Sequence, residues 1–155
     1  ALAHRLRQGR RREFEHFKWK GEPPDPQAPE TFGRSKLNWA SRGEGRHAVL
    51  LEFYRTFLSL RAGNPDLSSL DRDAARAEAD EDRRTLRLKR GRGVITFMNF
   101  SERPQDLGAA PEGRWRKLLD SADARWEGPG ASLPETLGPG ARIPPRSIAL
   151  YAKQA

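Results

Sequence analysis

Several residue types that commonly carry chemistry occur in this chain, but their spacing does not form a familiar site. Its three histidines, His4, His16 and His47, have no neighbours at helical spacing that would make a convincing metal site, and no HExxH motif occurs. Cysteine is absent, which excludes disulfides, thiolate nucleophiles and Cys-ligated metals. No GxSxG motif marks a serine hydrolase. We therefore predict no metal centre and interpret the histidines as surface or packing residues.

Two pairs of closely spaced carboxylates could in principle perform acid–base catalysis. They are Glu13 with Glu15 and Asp25 with Glu30. Neither pair follows a recognisable buried strand, so a solvated surface explains them better. The segment Gly91–Gly93 lacks the third glycine and the strand–helix context of a dinucleotide site, and we interpret it as a hairpin turn.

A cluster of aromatic and charged residues in the first part of the chain is a candidate for sugar binding. Its members are Arg11, Arg12, Glu13, Phe14, Phe17 and Trp19. Sugar rings stack their C–H faces on aromatic side chains, and their hydroxyls form hydrogen bonds with charged groups. These aromatic side chains could equally anchor the surrounding loop to the rest of the fold, and the residues alone leave both interpretations open.

The overall composition limits the size of the core and the class of partner. Of 155 residues, 35% are hydrophobic and 32% are charged, with 14 Gly and 12 Pro, which favours a modest core and many short elements. The net charge is +8, but the two signs are mixed and no nucleic-acid-binding motif accompanies them, so we expect no nucleic-acid partner. No apolar run is long enough to span a membrane, and no signal-peptide pattern is present. We therefore expect no membrane partner and a cytoplasmic location.

The first 45 residues combine a helical segment with a long loop. Residues 1–16 are mostly good helix formers, with Gly9 as a breaker, and predict one or two short helices. Residues 17–45 are rich in proline and also contain several aromatic side chains. A solvated linker has no use for such side chains, so we predict an ordered loop that its aromatic residues pin to the fold.

The clearest helix covers Gly45–Ala62. Its apolar residues recur at helical spacing: Val49, Leu50, Phe53, Phe57, Leu58 and Leu60. Gly63 is expected at the C′ position, with Pro65 just beyond it. So broad an apolar face needs a partner surface, and the rest of the chain is predicted to contain few other helices that could pack against it.

From residue 71 onward the sequence pattern changes to that of strands. Thr85–Arg90 alternates polar and apolar residues, and Val94–Phe100 is typical of a strand buried on both faces, so the two predict a hairpin. Two further strands are predicted at Trp115–Leu119 and Ile148–Tyr151, and weaker ones at Ala75–Ala79 and Ser132–Leu137. Strands at this spacing, with Pro/Gly loops between them, predict a small antiparallel β-sandwich.

Several segments, in this order, resemble the malto-oligosyltrehalose trehalohydrolases, a family of α-amylase-type glycoside hydrolases. They begin with GRRREF at Gly9–Phe14, and the most specific are PDPQAPETF at Pro24–Phe32 and SKLNW at Ser35–Trp39. Residues 47–67 look like the last helix of that family's catalytic barrel, and VITFMNFSERP with WRKLLDS looks like strands of its C-terminal β domain.

This resemblance implies that the chain is a C-terminal fragment of a longer enzyme. Residues 1–70 would be the last βα loop and final helix of a (β/α)8 barrel, and residues 71–155 an all-β antiparallel sandwich domain. The implied substrate is maltooligosyl-trehalose, whose α-1,4 bond next to the trehalose unit is hydrolysed. The implied mechanism is retaining, with two carboxyl groups about 5–5.5 Å apart and no metal or organic cofactor. The catalytic carboxylates would lie upstream, so no catalytic residue is expected in this chain.

The resemblance also places the long loop at the C-terminal face of the barrel, where such enzymes build their active sites. The candidate substrate-binding residues are then Arg12, Glu13, Phe17 and Trp19. The final helix would pack against the barrel exterior.

Three other interpretations remain. The chain could be the equivalent fragment of a glycogen-branching enzyme, although the PDPQ segment argues against this. It could be a free-standing β-sandwich module that binds carbohydrate or protein, although the apolar stripe of the 45–62 helix would then lack a partner. A basic nucleic-acid-binding protein comes third.

Overall fold

A computed structural model of the chain describes residues 2–17, 21, 23–109, 111–130 and 133–154. It divides into two compact units, Ala1–Ser41 and Arg42–Ala155. Within the described ranges, no helix is long and apolar enough to cross a membrane. The predicted boundary between residues 70 and 71 refers to a parent enzyme and stays a prediction.

The first unit is helical. Helix α1, Leu2–His16, is continuous, so Gly9 does not break it, and none of its residues is buried. Helix α2, Pro29–Ser35, begins with proline in its first turn, where the missing N–H costs nothing. A 3-10 helix, Trp39–Gly43, follows across the boundary of the unit.

The prediction that aromatic residues pin the 17–45 segment is wrong for this chain. The exposed fractions of Phe17, Phe32 and Trp39 are 71%, 67% and 68%. Local hydrogen bonds and two short helices order the described part of the segment instead. An example is the turn in which the N–H of Ala28 donates to the carbonyl oxygen of Asp25 over 3.1 Å.

The second unit begins with the predicted long helix, α3, which spans Gly45–Gly63. Gly63 is its last residue rather than a left-handed C′ glycine. Asn64 follows in an extended conformation, and its side chain accepts hydrogen bonds from the N–H groups of Asp66 and Leu67. Because Asn caps helix N-termini well and Pro65 suits a first turn, a new short helix, α4 (Pro65–Ser68), starts at once.

A five-stranded antiparallel sheet forms the rest of this unit, as the sequence predicted for an antiparallel β domain. Its order is β1–β2–β3–β7–β5, and a separate pair, β4–β6, lies beside it. The strands are β1 Ala75–Asp80, β2 Thr85–Arg90, β3 Val94–Asn99, β4 Gln105–Asp106, β5 Trp115–Asp120, β6 Arg142–Ile143 and β7 Ser147–Lys153.

The predicted strand at Ser132–Leu137 is not observed. Ser132 lies outside the described residues, and the rest of the segment makes only an isolated bridge, between Thr136 and Arg116. Two backbone hydrogen bonds to β5 hold it, from the N–H of Lys117 to Glu135 and from the N–H of Leu137 to Trp115. A side chain adds to these, since the Asp120 carboxylate accepts a 2.7 Å hydrogen bond from the N–H of Leu133. The strand β3 ends at Asn99, and Phe100, predicted to be part of the buried strand, is 61% exposed.

The hydrophobic core lies on one face of the sheet. Ile95 and Phe97 of β3 and Tyr151 of β7 pack there against Leu137 and Ile143, which belong to the smaller second layer. A buried asparagine ties this layer down: the Asn99 amide donates to the carbonyl oxygens of Arg103, Ile143 and Pro144.

The helix α3 has a partner surface within this chain on one side, which the sequence did not lead us to expect. The Phe53 ring packs edge-to-face on Trp126, with ring centroids 5.1 Å apart. A neighbouring part of the helix surface carries a stripe at every fourth residue, Leu50, Tyr54 and Leu58, with exposed fractions of 52%, 61% and 63%. Of the six predicted apolar residues, Leu50 and Leu58 are exposed and the other four are partly buried.

Candidate functional site

The predicted substrate-binding residues cluster on α1 and just after it. Arg12 and Glu13 lie in the last turns of the helix, and Phe17 follows its final residue, His16. Trp19 lies outside the described residues. Successive residues of a helix are rotated by about 100°. Glu13 therefore lies near the side of α1 from which Phe17 follows, and Arg12 lies on a different side from both. The structure thus brings two of the four residues to one side.

Neighbouring aromatic and charged groups hold the end of α1. Arg10 Nη1 donates to Glu13 Oε2 over 3.0 Å. The Arg10 guanidinium also lies 6.0 Å from the centre of the Phe14 ring. The Phe17 ring packs edge-to-face on His16, with centroids 5.9 Å apart. Since Phe17 remains largely exposed, its flat face is open to a ligand such as a sugar ring.

An ion pair joins α1 to the proline-rich segment that follows it. Arg7 Nε lies 2.7 Å from Asp25 Oδ2. The other oxygen, Oδ1, accepts a 3.0 Å hydrogen bond from the N–H of Gln27, so the carboxylate also closes its own turn. The hydrogen bond from Arg7, followed by that from Gln27, holds the pKa of Asp25 below its usual range. Asp25 is therefore ionised at neutral pH and fixes the PDPQ segment against the helix.

A cavity of about 370 Å³ lies between α1 and this segment. Its lining consists of Arg7, Arg10, Arg11, Pro23, Pro24, Asp25 and Pro26. Guanidinium groups in such a setting donate hydrogen bonds to hydroxyls or anions. None of the predicted residues that the structure describes, Arg12, Glu13 and Phe17, is part of this lining. The sequence analysis missed Arg7 and Arg10 as site candidates, although their helical spacing to Arg11 and Phe14 was a usable signal.

Two of the candidate catalytic carboxylates in this unit are engaged in ion pairs. Glu13 and Asp25 are each paired with an arginine. The lowered pKa of Asp25 does not suit a general acid. Among the residues that the structure describes, no group of three or more His, Asp or Glu could hold a metal ion.

Several known proteins similar to this chain share one description. No family model matches the chain. Malto-oligosyltrehalose trehalohydrolases from Rhizobium sp. (strain M-11), Mycobacterium tuberculosis and Arthrobacter ramosus are 48%, 42% and 34% identical to it over 103, 111 and 133 residues. These matches cover 64%, 71% and 81% of this chain but only 17%, 18% and 22% of those proteins. The chain thus spans about a fifth of the length of the relatives that it matches.

A solved structure is also similar to this chain in its fold. The crystal structure of a proposed α-amylase from Salmonella typhimurium superposes with a TM-score of 0.71 and 25% sequence identity. The superposition covers 99% of this chain and 24% of that protein. The resemblance in the sequence to the C-terminal part of the malto-oligosyltrehalose trehalohydrolases is therefore confirmed, and the fold is similar to part of an α-amylase-type enzyme.

Proposed function

We propose that this chain is the C-terminal part of a glycoside hydrolase that releases trehalose from maltooligosyl-trehalose. The enzyme would cleave the α-1,4 bond next to the trehalose unit by a retaining mechanism. Its two catalytic carboxyl groups would lie about 5–5.5 Å apart on barrel strands upstream of this chain. The similarity to relatives named for this reaction carries the proposal.

In this enzyme the first unit would contribute to the substrate groove. Loops at the C-terminal face of a (β/α)8 barrel build its active site. The Arg7–Asp25 pair would keep the PDPQ segment in one conformation beside α1. Arg12, Glu13, Phe17 and Trp19 are the proposed substrate contacts, with the exposed Phe17 ring as a stacking surface.

The second unit would hold the end of the barrel to the β domain. One side of α3 packs on Trp126 of the β domain, and the stripe Leu50, Tyr54 and Leu58 remains more than half exposed. An exposed stripe of large apolar side chains is typical of an interface. In the longer enzyme the stripe would pack against the barrel.

The test is to extend the reading frame upstream of residue 1 and to assay the longer enzyme with maltooligosyl-trehalose. We expect trehalose as the product, whereas the 155-residue chain alone should release none because it lacks the catalytic carboxylates. The appearance of α-1,6 branches without trehalose would assign the chain to a branching enzyme instead. Trehalose release by the 155-residue chain alone would refute the upstream placement of the carboxylates.

A further inference from the structure

The core face of the five-stranded sheet is charged on β1 and β2 and apolar on β3 and β7. One row of directly opposed residues across the sheet reads Glu78, Arg87, Phe97 and Ala149. Its first two members, on β1 and β2, are charged, and the last two, on β3 and β7, are apolar and buried. The second layer of the domain therefore covers the β3–β7 half, while the β1–β2 half of the same face carries charged side chains.

A groove of about 370 Å³ occupies the uncovered half, and we call it the β1–β2 groove. Strands β1, β2 and β3 form one wall and residues 106–109 the other. Three of its lining residues, Phe97, Leu107 and Ile143, belong to the hydrophobic core or pack against it. The groove therefore has an apolar floor, and its volume lies in the usual range of about 300–1,000 Å³ for small-molecule sites.

The polar groups of the groove are held in place by hydrogen bonds within the chain. Arg87 Nε donates to Glu78 Oε2 over 2.8 Å. This bond lowers the pKa of Glu78 from its ordinary value, so its carboxylate is ionised at neutral pH. Asp106 Oδ1 accepts a 2.7 Å bond from the N–H of Gly108 on the opposite wall. Groups that are already oriented lose little conformational freedom when a ligand binds.

The charges in the groove balance. Its carboxylates belong to Glu78, Asp80 and Asp106, and its guanidinium groups to Arg83 and Arg87. The Lys89 ammonium lies 3.7 Å from Glu78 and supplies a third positive charge beside the groove. Because these positive and negative charges balance, the groove does not favour a strongly charged ligand such as a nucleic acid. Carboxylates and guanidinium groups beside an apolar floor instead suit a neutral molecule with many hydroxyls and apolar C–H faces.

We propose that the β1–β2 groove binds a linear, neutral α-glucan chain. Glu78 and Asp106 would accept hydrogen bonds from sugar hydroxyls, Arg87 would donate to them, and Leu107 would contact the sugar C–H groups. This inference rests on the proposed function for its ligand class, because a glucan hydrolase meets such chains as substrate. Binding in the groove would hold the β domain on the polymer.

The test is an NMR titration of the ¹⁵N-labelled 155-residue chain with maltoheptaose, a glucan without a trehalose unit. We expect saturable shifts of the backbone amides of Glu78, Arg87, Leu107 and Gly108. Replacing the guanidinium in Arg87→Ala should weaken binding about tenfold, as expected for the loss of a charged hydrogen-bonding group. The matched control is Arg55→Ala, which removes an exposed arginine that is likewise paired with a glutamate (Glu52, 3.7 Å) but lies on α3. Its affinity should equal that of the unaltered chain.

Glu78→Gln provides a second variant that keeps the shape of the side chain if Arg87→Ala does not fold. It should also weaken binding, because a neutral amide accepts hydrogen bonds less strongly than a carboxylate. The absence of shifts in the groove, or equal affinities of the groove variants and the control, would overturn the inference and leave the proposed function standing. Glucan binding in the groove combined with no trehalose release by the longer enzyme would overturn only the reaction.

Discussion

The Asp66 carboxylate of α4 lies against the turn between β2 and β3, where its Oδ2 atom accepts a 2.7 Å hydrogen bond from the N–H of Gly93. A Cβ atom added to Gly93 would lie 2.6 Å from this oxygen. A Cβ atom added to Gly91 would overlap with the other carboxylate oxygen, Oδ1, and Gly91 has a φ of +54°, a conformation that L side chains rarely adopt. The glycines of this turn therefore permit a helix to approach the sheet.

Gly93→Ala should lower the free energy of unfolding by about 1–2 kcal/mol, because Asp66 must move and give up its bond to the N–H. Urea unfolding at pH 7 measures the change. Gly138→Ala is the control, because a Cβ there meets nothing within 4 Å. In an Asp66→Ala background the Gly93→Ala change should cost much less, since no carboxylate remains to be displaced. Equal costs in the two backgrounds would contradict this explanation.

The sequence predicted this hairpin well, because its signals are local. The alternation in Thr85–Arg90 and the apolar run that follows Gly93 can be recognised within a few residues. The strands β4 and β6 have two residues each and pair across more than thirty intervening residues, so no local pattern predicts them. The same holds for Arg7 and Asp25, which meet only when the chain reverses after α1.

Buried Tyr151 should make the second unit sensitive to alkaline pH. The side chain is fully buried, and its hydroxyl donates a 2.8 Å hydrogen bond to the carbonyl oxygen of Pro134. Burial, with the nearby charges of Asp120 and Glu135, raises its pKa well above the ordinary value of 10.0. Below pH 10 both the folded and unfolded states carry the protonated phenol, and the stability is fully present. Above it the unfolded state loses its proton first, so stability falls as the pH rises.

Urea unfolding between pH 8 and pH 11 tests this expectation. The measurement uses a Tyr54→Phe background, because the chain has two tyrosines and this change leaves Tyr151 as the other one. Adding Tyr151→Phe should lower stability at pH 8 by about 1 kcal/mol, because the bond to Pro134 is lost. It should also flatten the decline that begins near pH 10. An unchanged decline in the phenylalanine variant would show that another group causes it.

The exposed stripe of α3 should matter only in the longer enzyme. Replacing Leu50, Tyr54 and Leu58 by Gln should leave the melting temperature of the 155-residue chain nearly unchanged, since more than half of each side chain is already exposed. In the longer enzyme we expect a loss of about 1 kcal/mol or more for each side chain, because burial of apolar area is forfeited. Thermal melts of both chain lengths provide the comparison.

Phe53, on the covered part of the same helix, supplies the reference for this comparison. Phe53→Ala should destabilise the 155-residue chain by about 2 kcal/mol through the lost packing on Trp126. Arg55→Gln, on an exposed part of the helix, should change neither chain. If the triple replacement destabilised both chain lengths equally, the stripe would be part of this domain rather than an interface with the barrel.

Phe17 offers the sharpest test of the proposed substrate contacts. Because its side chain is 71% exposed in this chain, Phe17→Ala should leave the melting temperature of the 155-residue chain unchanged. In the longer enzyme, loss of a sugar–aromatic stacking contact should cost about 1 kcal/mol, a several-fold loss in kcat/KM. Phe32→Ala is the control, because that ring is 67% exposed and lies outside the proposed contacts. Trp19→Ala should behave as Phe17→Ala does. A lowered melting temperature of the longer enzyme with unchanged kcat/KM would instead make these aromatic side chains anchors of the loop.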